Sequence, residues 1–496
     1  MSIATELTRI SNAKAAIRAS IENKGVTVPS TDLIDTYSQY IDDIPSGGST
    51  TPLEPKDITF YDWDGTILYA YTRAEMNQLT ELPPLPPAYK DYTARSWTES
   101  LDYLQGRLEP INVGVNYSTS RTKAYIYITV DDLTKSYVTL VNKNTITSSR
   151  YTVDWGDGSG TTTINGNSYG VHNYSQAGNY VVQITGYRGI LIKGETTTSG
   201  APHGAMMGFI YSQNESLNGG TSGSGDYNNY SGHNSIVTAI ELPSKYTMDD
   251  SGISNMINLK SMIFPYTYNQ PNYNVVNAYA FYFSCLEFIS LPTTCVLGTI
   301  SSNQSYFQCS WRLKRLVIPT SLSVTGFNWS AYMFAGCNAL QEFLMDAVST
   351  GTSAVNTFGF RSISNHNYRA ALNLERVIIP FGVTSMDGVF GTAYRSDIEF
   401  WQLKKIHFSS NPTLTTIANE NFPALKRITE IYFPATLTTL TNVGLPLISH
   451  FTGVTPPTAT FIQDIPPFAV YVPAEAVNDY KTAWPDLASI IQAEPE

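Results

Sequence analysis

Between residues 313 and 319 the chain reads Leu313-Lys314-Arg315-Leu316-Val317-Ile318-Pro319, and this seven-residue form returns along the whole second half. It is an apolar residue, two variable positions, two or three mainly apolar positions, then proline. Val237 to Pro243, Leu259 to Pro265, Leu286 to Pro292, Leu374 to Pro380 and Ile428 to Pro434 share it. Leu340 to Met345 and Leu403 to Phe408 fit without the proline, and Phe468 to Pro473 closes the series. From Val237 to Ile428 the intervals between successive units are 22, 27, 27, 27, 34, 29 and 25 residues. Such periods are those of a solenoid, in which each unit supplies one short strand and a return segment. One unit cannot bury its apolar edge alone, whereas stacked units share a continuous core.

The return segments contain Ala280-Phe281-Tyr282-Phe283-Ser284-Cys285, Tyr306-Phe307-Gln308-Cys309 and Met333-Phe334-Ala335-Gly336-Cys337. Recurrent Phe and Cys at matching places suit an inward aromatic ladder. The four cysteines, Cys285, Cys295, Cys309 and Cys337, are separated by 10, 14 and 28 residues, which matches no zinc pattern. They read as small buried apolar residues, with disulfides as the alternative. The L-x-x-I-x-I-P strands and A-F-x-x-C returns resemble the BspA-like leucine-rich repeats of gut and oral bacteria and their phages. The tail from Phe468 to Gln492 is similar to that family's usual end, a last strand running into a capping helix. The resemblance implies surface binding, often adhesion, and no catalysis. Missing prolines and uneven lengths leave the repeat count open.

Ahead of the repeats, residues 194–235 are rich in Gly, Ser and Asn, as in Gly219-Gly220-Thr221-Ser222-Gly223-Ser224-Gly225, and read as a long loop or insertion. Before that come Val153-Asp154-Trp155-Gly156-Asp157-Gly158, His172-Asn173-Tyr174 and Ala177-Gly178-Asn179-Tyr180. Asp and Gly suit a tight turn with positive φ, against which His172 and Tyr174 would pack. The alternative, a metal at Asp154 and Asp157, has only two carboxylates within reach by sequence. The three elements, in this order, resemble the PKD family of immunoglobulin-like sandwiches.

Upstream, Ile58 to Tyr71 alternates as strand-turn-strand with Asp62-Trp63-Asp64-Gly65 at the bend. Helices are expected from Thr72 to about Leu79 and from Ser96 to Gly106, around Pro83-Pro84-Leu85-Pro86-Pro87. Strands follow at Val113 to Val130 and Val138 to Val141. The stretch Ile58 to Leu68 also resembles the strand plus D-x-D-G-T of HAD-type phosphatases. That would imply Asp62 as nucleophile and Asp64 as acid/base beside magnesium. That fold needs a doubly wound core of well over 100 residues, and no convincing later Lys or paired Asp is present, so the turn reading stands first.

At the N-terminus Ile3, Leu7, Ile10, Ile17 and Ile21 fall on a 4-3 spacing interrupted by Lys14. A coiled coil and a simple helical hairpin fit equally. Pro29-Ser30-Thr31-Asp32 starts a second helix with Leu33, Ile34, Tyr37, Tyr40, Ile41 and Ile44 largely on one face. The stretch from Glu6 to Ile44 resembles the short helical modules of phage tail and other virion proteins, which implies docking to a particle or to partner subunits.

Composition narrows the class. The 42% hydrophobic content fits a folded chain, charged residues are scarce at 14%, and Tyr is abundant at 33 copies. Lys and Arg total 30 against 41 Asp and Glu, a net charge of −11, without a basic run, so nucleic acid is not an expected partner. No apolar run of about 18 residues predicts a membrane span. The opening residues lack a secretory pattern, which favours release by lysis within a particle. No P-loop, H-E-x-x-H or G-x-S-x-G is present, and the six His are scattered, so no cofactor, metal or catalytic residue is expected.

The expectation is a multidomain, mostly β chain. It has an N-terminal α-helical attachment module at 1–45, a linker at 46–57 and a small α+β segment at 58–112. A PKD or Ig-like β-sandwich follows at 113–190, an insertion at 191–235, and a leucine-rich-repeat solenoid with C-terminal cap at 236–496. The functional expectation is a non-enzymatic virion fibre, localised to the particle and made in the host cytoplasm. It would join other virion proteins through its helices, form a homo-oligomer, and bind a host surface protein or glycan. The alternatives are a bacterial BspA-like cell-surface adhesin and a HAD-like phosphatase. Candidate binding loops carry Tyr227, Asn228, Asn229 and Tyr230, then Tyr266, Tyr268, Asn269, Asn272 and Tyr273, rigid aromatic area beside adaptable amides.

Overall fold

A computed structural model describes residues 53–107, 109–131 and most of 133–192, then the stretches around each repeat strand from Val237 to Pro495. Of the first 52 residues it describes Ser11, Lys14, Ala15, Ile17, Arg18, Val28 and Pro29. The chain divides into two compact units, Met1–Glu54 and Pro55–Glu496. In the first, Ser11, Lys14, Ala15, Ile17 and Arg18 are helical and Ile17 is exposed. Ile3, Leu7, Ile10 and Ile21, the second helix and residues 193–236 lie outside the described residues.

The second unit opens with strands β1 (Ile58–Tyr61) and β2 (Ile67–Tyr71), joined antiparallel through the expected turn. Gly65 takes φ +91° there, and Asp62 N donates to Thr66 O at 2.8 Å. Helix α1 (Arg73–Asn77) has a complete capping box: Thr72 accepts from Glu75 N, and the Glu75 carboxylate accepts from Thr72 N. The helix expected over 96–106 divides in two. Its first residues belong to strand β3 (Thr93–Trp97), and only Leu101–Gln105 form helix α2. Ser100, whose hydroxyl accepts from Tyr103 N, is a natural N-cap that starts the helix late. Strands β4 (Ile111–Val113) and β5 (Val115–Ser118) follow, β4 parallel to β1 and β5 antiparallel to β3. Phe60, Met76, Trp97 and Leu104 fill a small core of this segment.

Strands β6 (Lys123–Val130), β7 (Tyr137–Asn142), β8 (Arg150–Asp154), β9 (Thr161–Asn165), β10 (Ser168–Asn173) and β11 (Gly178–Gly186) are antiparallel neighbours. Ala124, Ile126, Ile128 and Val130 point into the core, as period-two alternation requires. At the turn after β8 the Trp155 ring stacks on His172 at 4.9 Å, and Tyr174 donates to Trp155 O at 2.8 Å. His172 Nε2 also meets Asp157 Oδ2 at 2.7 Å. Gly156 has φ +79°, and a Cβ there would fall 2.4 Å from Val181 O, so both conformation and space demand glycine.

This sheet does not end with β11. Strand β6 also pairs antiparallel with β13 (Val237–Glu241), the first repeat strand, and β13 pairs parallel with β15 (Ser261–Ile263). A single six-stranded sheet therefore runs from the antiparallel region into the solenoid, and one buried cluster continues through both. On the return side, β12 (Ile190–Ile192), β14 (Tyr246–Met248), β16 (Val275–Val276) and β18 (Val296–Leu297) form a parallel ladder.

Later repeat strands are β17 (Phe288–Ser290), β19 (Arg315–Val317), β20 (Glu342–Phe343), β21 (Arg376–Ile379), β22 (Lys405–Phe408), β23 (Glu430–Tyr432) and β24 (Ala469–Val472). From β20 they pair parallel in sequence order up to a terminal β25 (Ile491–Ala493). Register follows the sequence form: its fourth position supplies Phe343, Val377, Ile406, Ile431 and Val470 as one inward file, all buried. The return-side ladder is also present, with Phe281, Phe307 and Phe334 stacked at 5.4 and 5.6 Å and their rings nearly parallel. Each such pair adds about 0.5–1.5 kcal/mol beyond area burial. Three residues past Phe307 and Phe334, Ser310 Oγ and Cys337 Sγ donate to the preceding rung's carbonyl, at 2.7 and 3.0 Å.

Cys285, Cys295 and Cys337 are buried thiols, while Cys309 lies outside the described residues. Loss of the proline leaves the ladder intact at the Leu403 repeat, because Ser409 in its place donates its N–H to Ile379 O at 3.0 Å. Beyond β24, helix α3 (Val477–Ala483) seats Tyr480, with Trp484 after it, on Phe433 and closes the core.

Candidate binding face of the repeats

Alternation along each repeat strand sends its third and fifth positions outward, away from the solenoid core. The fifth positions are Glu241, Ile263, Ser290, Val317, Leu344, Ile378, His407, Tyr432 and Tyr471. On a bare solenoid these would face solvent, yet all from Glu241 to His407 are buried. The segment of residues 55–118 lies across them.

Its attachment repeats with the solenoid's own period. After Pro265, Pro292 and Pro319 the next N–H turns outward: Tyr266 N donates to Tyr117 O at 2.5 Å, Thr293 N to Asn116 Oδ1 at 3.0 Å, and Thr320 N to Glu99 Oε1 at 2.9 Å. Positions 266, 293 and 320 are 27 residues apart. Proline lacks an N–H, so it ends the ladder bonding and leaves the following donor for the covering segment. Close packing fills the space between. A Cβ on Gly114 would stand 2.4 Å from Ser290 Oγ and 3.1 Å from Val317 Cγ1, and the Tyr61 ring lies 5.2 Å from Phe288.

Two ionic clusters pin this cover. Glu342, almost fully buried, accepts from Asn112 Nδ2 at 2.9 Å and from Arg376 Nη2 and Nε at 2.7 and 3.1 Å. Arg315 Nε is 3.4 Å away and the Tyr61 hydroxyl 3.5 Å. Burial first, then the Glu342 charge, pushes the Tyr61 phenol well above its ordinary value. Toward β6, Glu241 accepts from Lys90 and Arg121, whose cations lie over the Tyr127 and Tyr125 rings. Burial alone would raise the Glu241 pKa, but the Lys90 and Arg121 hydrogen bonds outweigh it and hold the carboxyl below its usual range.

Past His407 the outward file is only partly covered, although Arg73 still reaches Glu494 at 2.8 Å. Tyr432 and Tyr471 are only half-buried and stack at 5.0 Å, continuing a His407–Tyr432 stack at 4.0 Å. Beside them runs Lys405–Glu430, paired at 2.9 Å. Burial, then Arg73, Arg376 and Lys405, keep His407 neutral, its pKa well below 6.5.

Of the expected binding residues, Tyr266 is half-buried and docks the cover, which makes its backbone a structural contact. Tyr227, Asn228, Asn229, Tyr230, Tyr268, Asn269, Asn272 and Tyr273 lie outside the described residues. The outward rows at the third and fifth repeat positions had no place among the expected residues. Period-two counting within each strand is the signal that finds them.

The D-x-D-G-T stretch closes an antiparallel hairpin. Asp62 Oδ1 accepts from Trp63 N at 2.7 Å and from the Tyr117 hydroxyl at 2.8 Å, and Asp64 Oδ1 accepts from Thr66 N at 3.0 Å. Burial raises the Asp62 pKa against those two bonds. Asp154 and Asp157 likewise bond turn amides, at Gly156 and Ser159. Among the described residues no three His, Cys, Asp or Glu are placed to share a metal ion, and no helix is long and apolar enough to cross a membrane.

Residues 247–444 match the family described as BspA type leucine rich repeat region, in six copies. Among solved structures the chain is similar to a leucine rich cell surface protein from Faecalibacterium prausnitzii A2-165, at 14% identity and a TM-score of 0.18. That match covers 46% of this chain and 62% of the other, so under two thirds of that protein is spanned. No curated protein matches. Strand period, inward file and family match agree: residues 247–444 of this chain carry BspA-type leucine-rich repeats.

Proposed function

We propose that this chain is a non-enzymatic, adhesin-like protein that binds a cell-surface protein or glycan through its repeat solenoid. The observation that carries the reading is the six-copy BspA-type match over residues 247–444. It supports a cell-surface adhesin better than the virion fibre expected from the N-terminal stretch, most of which lies outside the described residues. The antiparallel region after the cover, with its PKD-like Trp155, His172 and Tyr174, serves as the solenoid's first-end cap, since β6 completes the first repeat strand.

The cover gives the reading its particular form. Because it buries the outward file as far as His407, recognition falls to the open end of the strand face and to loops on the repeats. The test is saturable binding of the labelled full chain to panels of bacterial cells, animal cells and immobilised glycans. No saturable binding on any panel would remove the proposal. Magnesium-dependent phosphatase activity that Asp62→Asn abolishes would replace it with the hydrolase alternative.

A further inference from the structure

Between α1 and β3 the cover carries Leu82-Pro83-Pro84-Leu85-Pro86-Pro87-Ala88-Tyr89, and from Leu82 to Ala88 it forms no helix, strand or turn. Each proline fixes its own φ at about −65° and keeps the residue before it out of the helical region. Among the described residues no peptide bond is cis. These restrictions leave a polyproline II helix, with about three residues per turn and no internal hydrogen bonds.

Burial follows that period. Pro83 is buried and Pro86 and Tyr89 are half-buried, while Pro84, Leu85, Pro87 and Ala88 are exposed. One edge of the helix therefore lies on the cover, and two edges, Pro84 with Pro87 and Leu85 with Ala88, face water. Leu85 is 37% exposed and belongs to a contiguous apolar strip, the kind of surface that marks an interaction site. Both ends of the helix are held. Trp97 Nε1 donates to Pro83 O at 2.8 Å, while Tyr89 exchanges backbone hydrogen bonds with Tyr92 and sets its ring 4.7 Å from Trp63. A helix fixed in this way loses little conformational freedom when a partner binds it. Glu81, at its start, is exposed, whereas Lys90 and Asp91 beyond it are paired with Glu241 and Arg121.

We propose that residues 81–88 are a docking strip for a protein partner whose groove is lined by tyrosine and tryptophan rings, with a lysine or arginine facing Glu81. Pro84 and Pro87 would enter one cleft between rings and Leu85 the next, as period-three ligands fit aromatic grooves. Trp97 already makes this contact on the inner edge, its indole N–H reading a proline carbonyl. The strip offers a sugar no side-chain donor, and Glu81 sets it against an anionic membrane, which leaves a protein groove as its occupant. It lies on the cover rather than the repeats and does not rest on the adhesin reading.

The experiment titrates the immobilised full chain with purified SH3 and WW domains, which carry such grooves. A synthetic peptide of residues 81–89 serves as competitor. Saturable binding of at least one domain is expected, competed by this peptide and not by the same peptide carrying Pro84→Ala and Pro87→Ala. In the full chain, Leu85→Asp and the double variant Pro84→Ala, Pro87→Ala should each weaken binding at least tenfold. Melting temperatures should be unchanged, because these side chains lie outside the core. Glu81→Lys should weaken binding several-fold. No saturable binding by any domain, equal competition by both peptides, or unchanged affinity in both the Leu85 and the proline variants overturns the proposal. Binding of anionic phospholipid vesicles that Leu85→Asp abolishes would assign the strip to a membrane and overturn it as well.

Discussion

Replacing Glu342 by glutamine should release the cover from the repeats while leaving the repeats stacked. Among the described residues Glu342 accepts from Asn112 of the cover and pairs with Arg376 and Arg315 of the flanking repeat strands beneath it, where the cover shields all three from water, and it is almost fully buried. Glutamine keeps the shape and one acceptor but removes the charge, leaving two guanidinium groups without their counter-ion. Breaking a buried pair by removing one partner costs about 3–5 kcal/mol. At about 1.4 kcal/mol per factor of ten, local opening of the cover should become roughly 10²- to 10⁴-fold more frequent. Hydrogen exchange with mass spectrometry reads this directly. Peptides covering β1 and β4 should lose protection by that factor, while those covering β23 to β25 keep theirs, since their ladder bonds do not involve Glu342. A change below tenfold at β1 and β4, or one spread evenly over all strands, would refute the view of Glu342 as the clasp of a separately opening cover.

Other outcomes follow from the same geometry. Gly114→Val places methyl groups into Ser290 and Val317 and should cost about 1–3 kcal/mol by overpacking, read as a lower urea midpoint and faster proteolysis within the cover. At the Trp155 turn, Gly158 has φ +82° with open space, so Gly158→Ala should cost only about 1–2 kcal/mol of backbone strain. Gly156→Ala adds the collision with Val181 O and should exceed it by about 1–3 kcal/mol in the same denaturation assay. Burial pushes the Cys295 and Cys337 thiols up to about 12, so a thiol reagent at pH 7 should label neither until denaturant is added. His407 is a base whose folded pKa lies below its 6.5 reference, so the unfolded chain takes up its proton first as pH falls. The stability that neutral His407 confers is complete above pH 6.5 and is lost below it, at up to about 1.4 kcal/mol per pH unit. His407→Asn should remove this slope, and a wild-type minus variant difference that stays flat from pH 7 to 5 would count against it.

What was legible in advance depended on whether the signal was local. The repeat strands were legible because stacking imposes the same inward position on every unit, so Leu313, Leu340 and Leu374 could be aligned without coordinates. The Phe281, Phe307 and Phe334 ladder followed for the same reason, as did the Asp62 to Gly65 turn. The helix expected over 96–106 is present but starts only at Leu101, because the pairing of Trp97 with Val115 is a contact between strands that local propensity does not encode. The candidate site was mostly not legible. Its aromatic neighbours mark Tyr266 as a binding residue, whereas its N–H is a docking contact of the cover.

By itself, then, the sequence determined the solenoid, its strand register and the burial of its core, since these repeat an identical local requirement many times over. Tertiary structure alone decided that residues 55–118 fold back over the outward strand face, and that β6 completes the first repeat. Each of those arrangements joins groups far apart in the chain, as Asn112 meets Glu342 and Ile128 meets Val237. No periodicity links such residues. They are brought together by the need to satisfy exposed strand edges and outward apolar positions once the repeats have stacked.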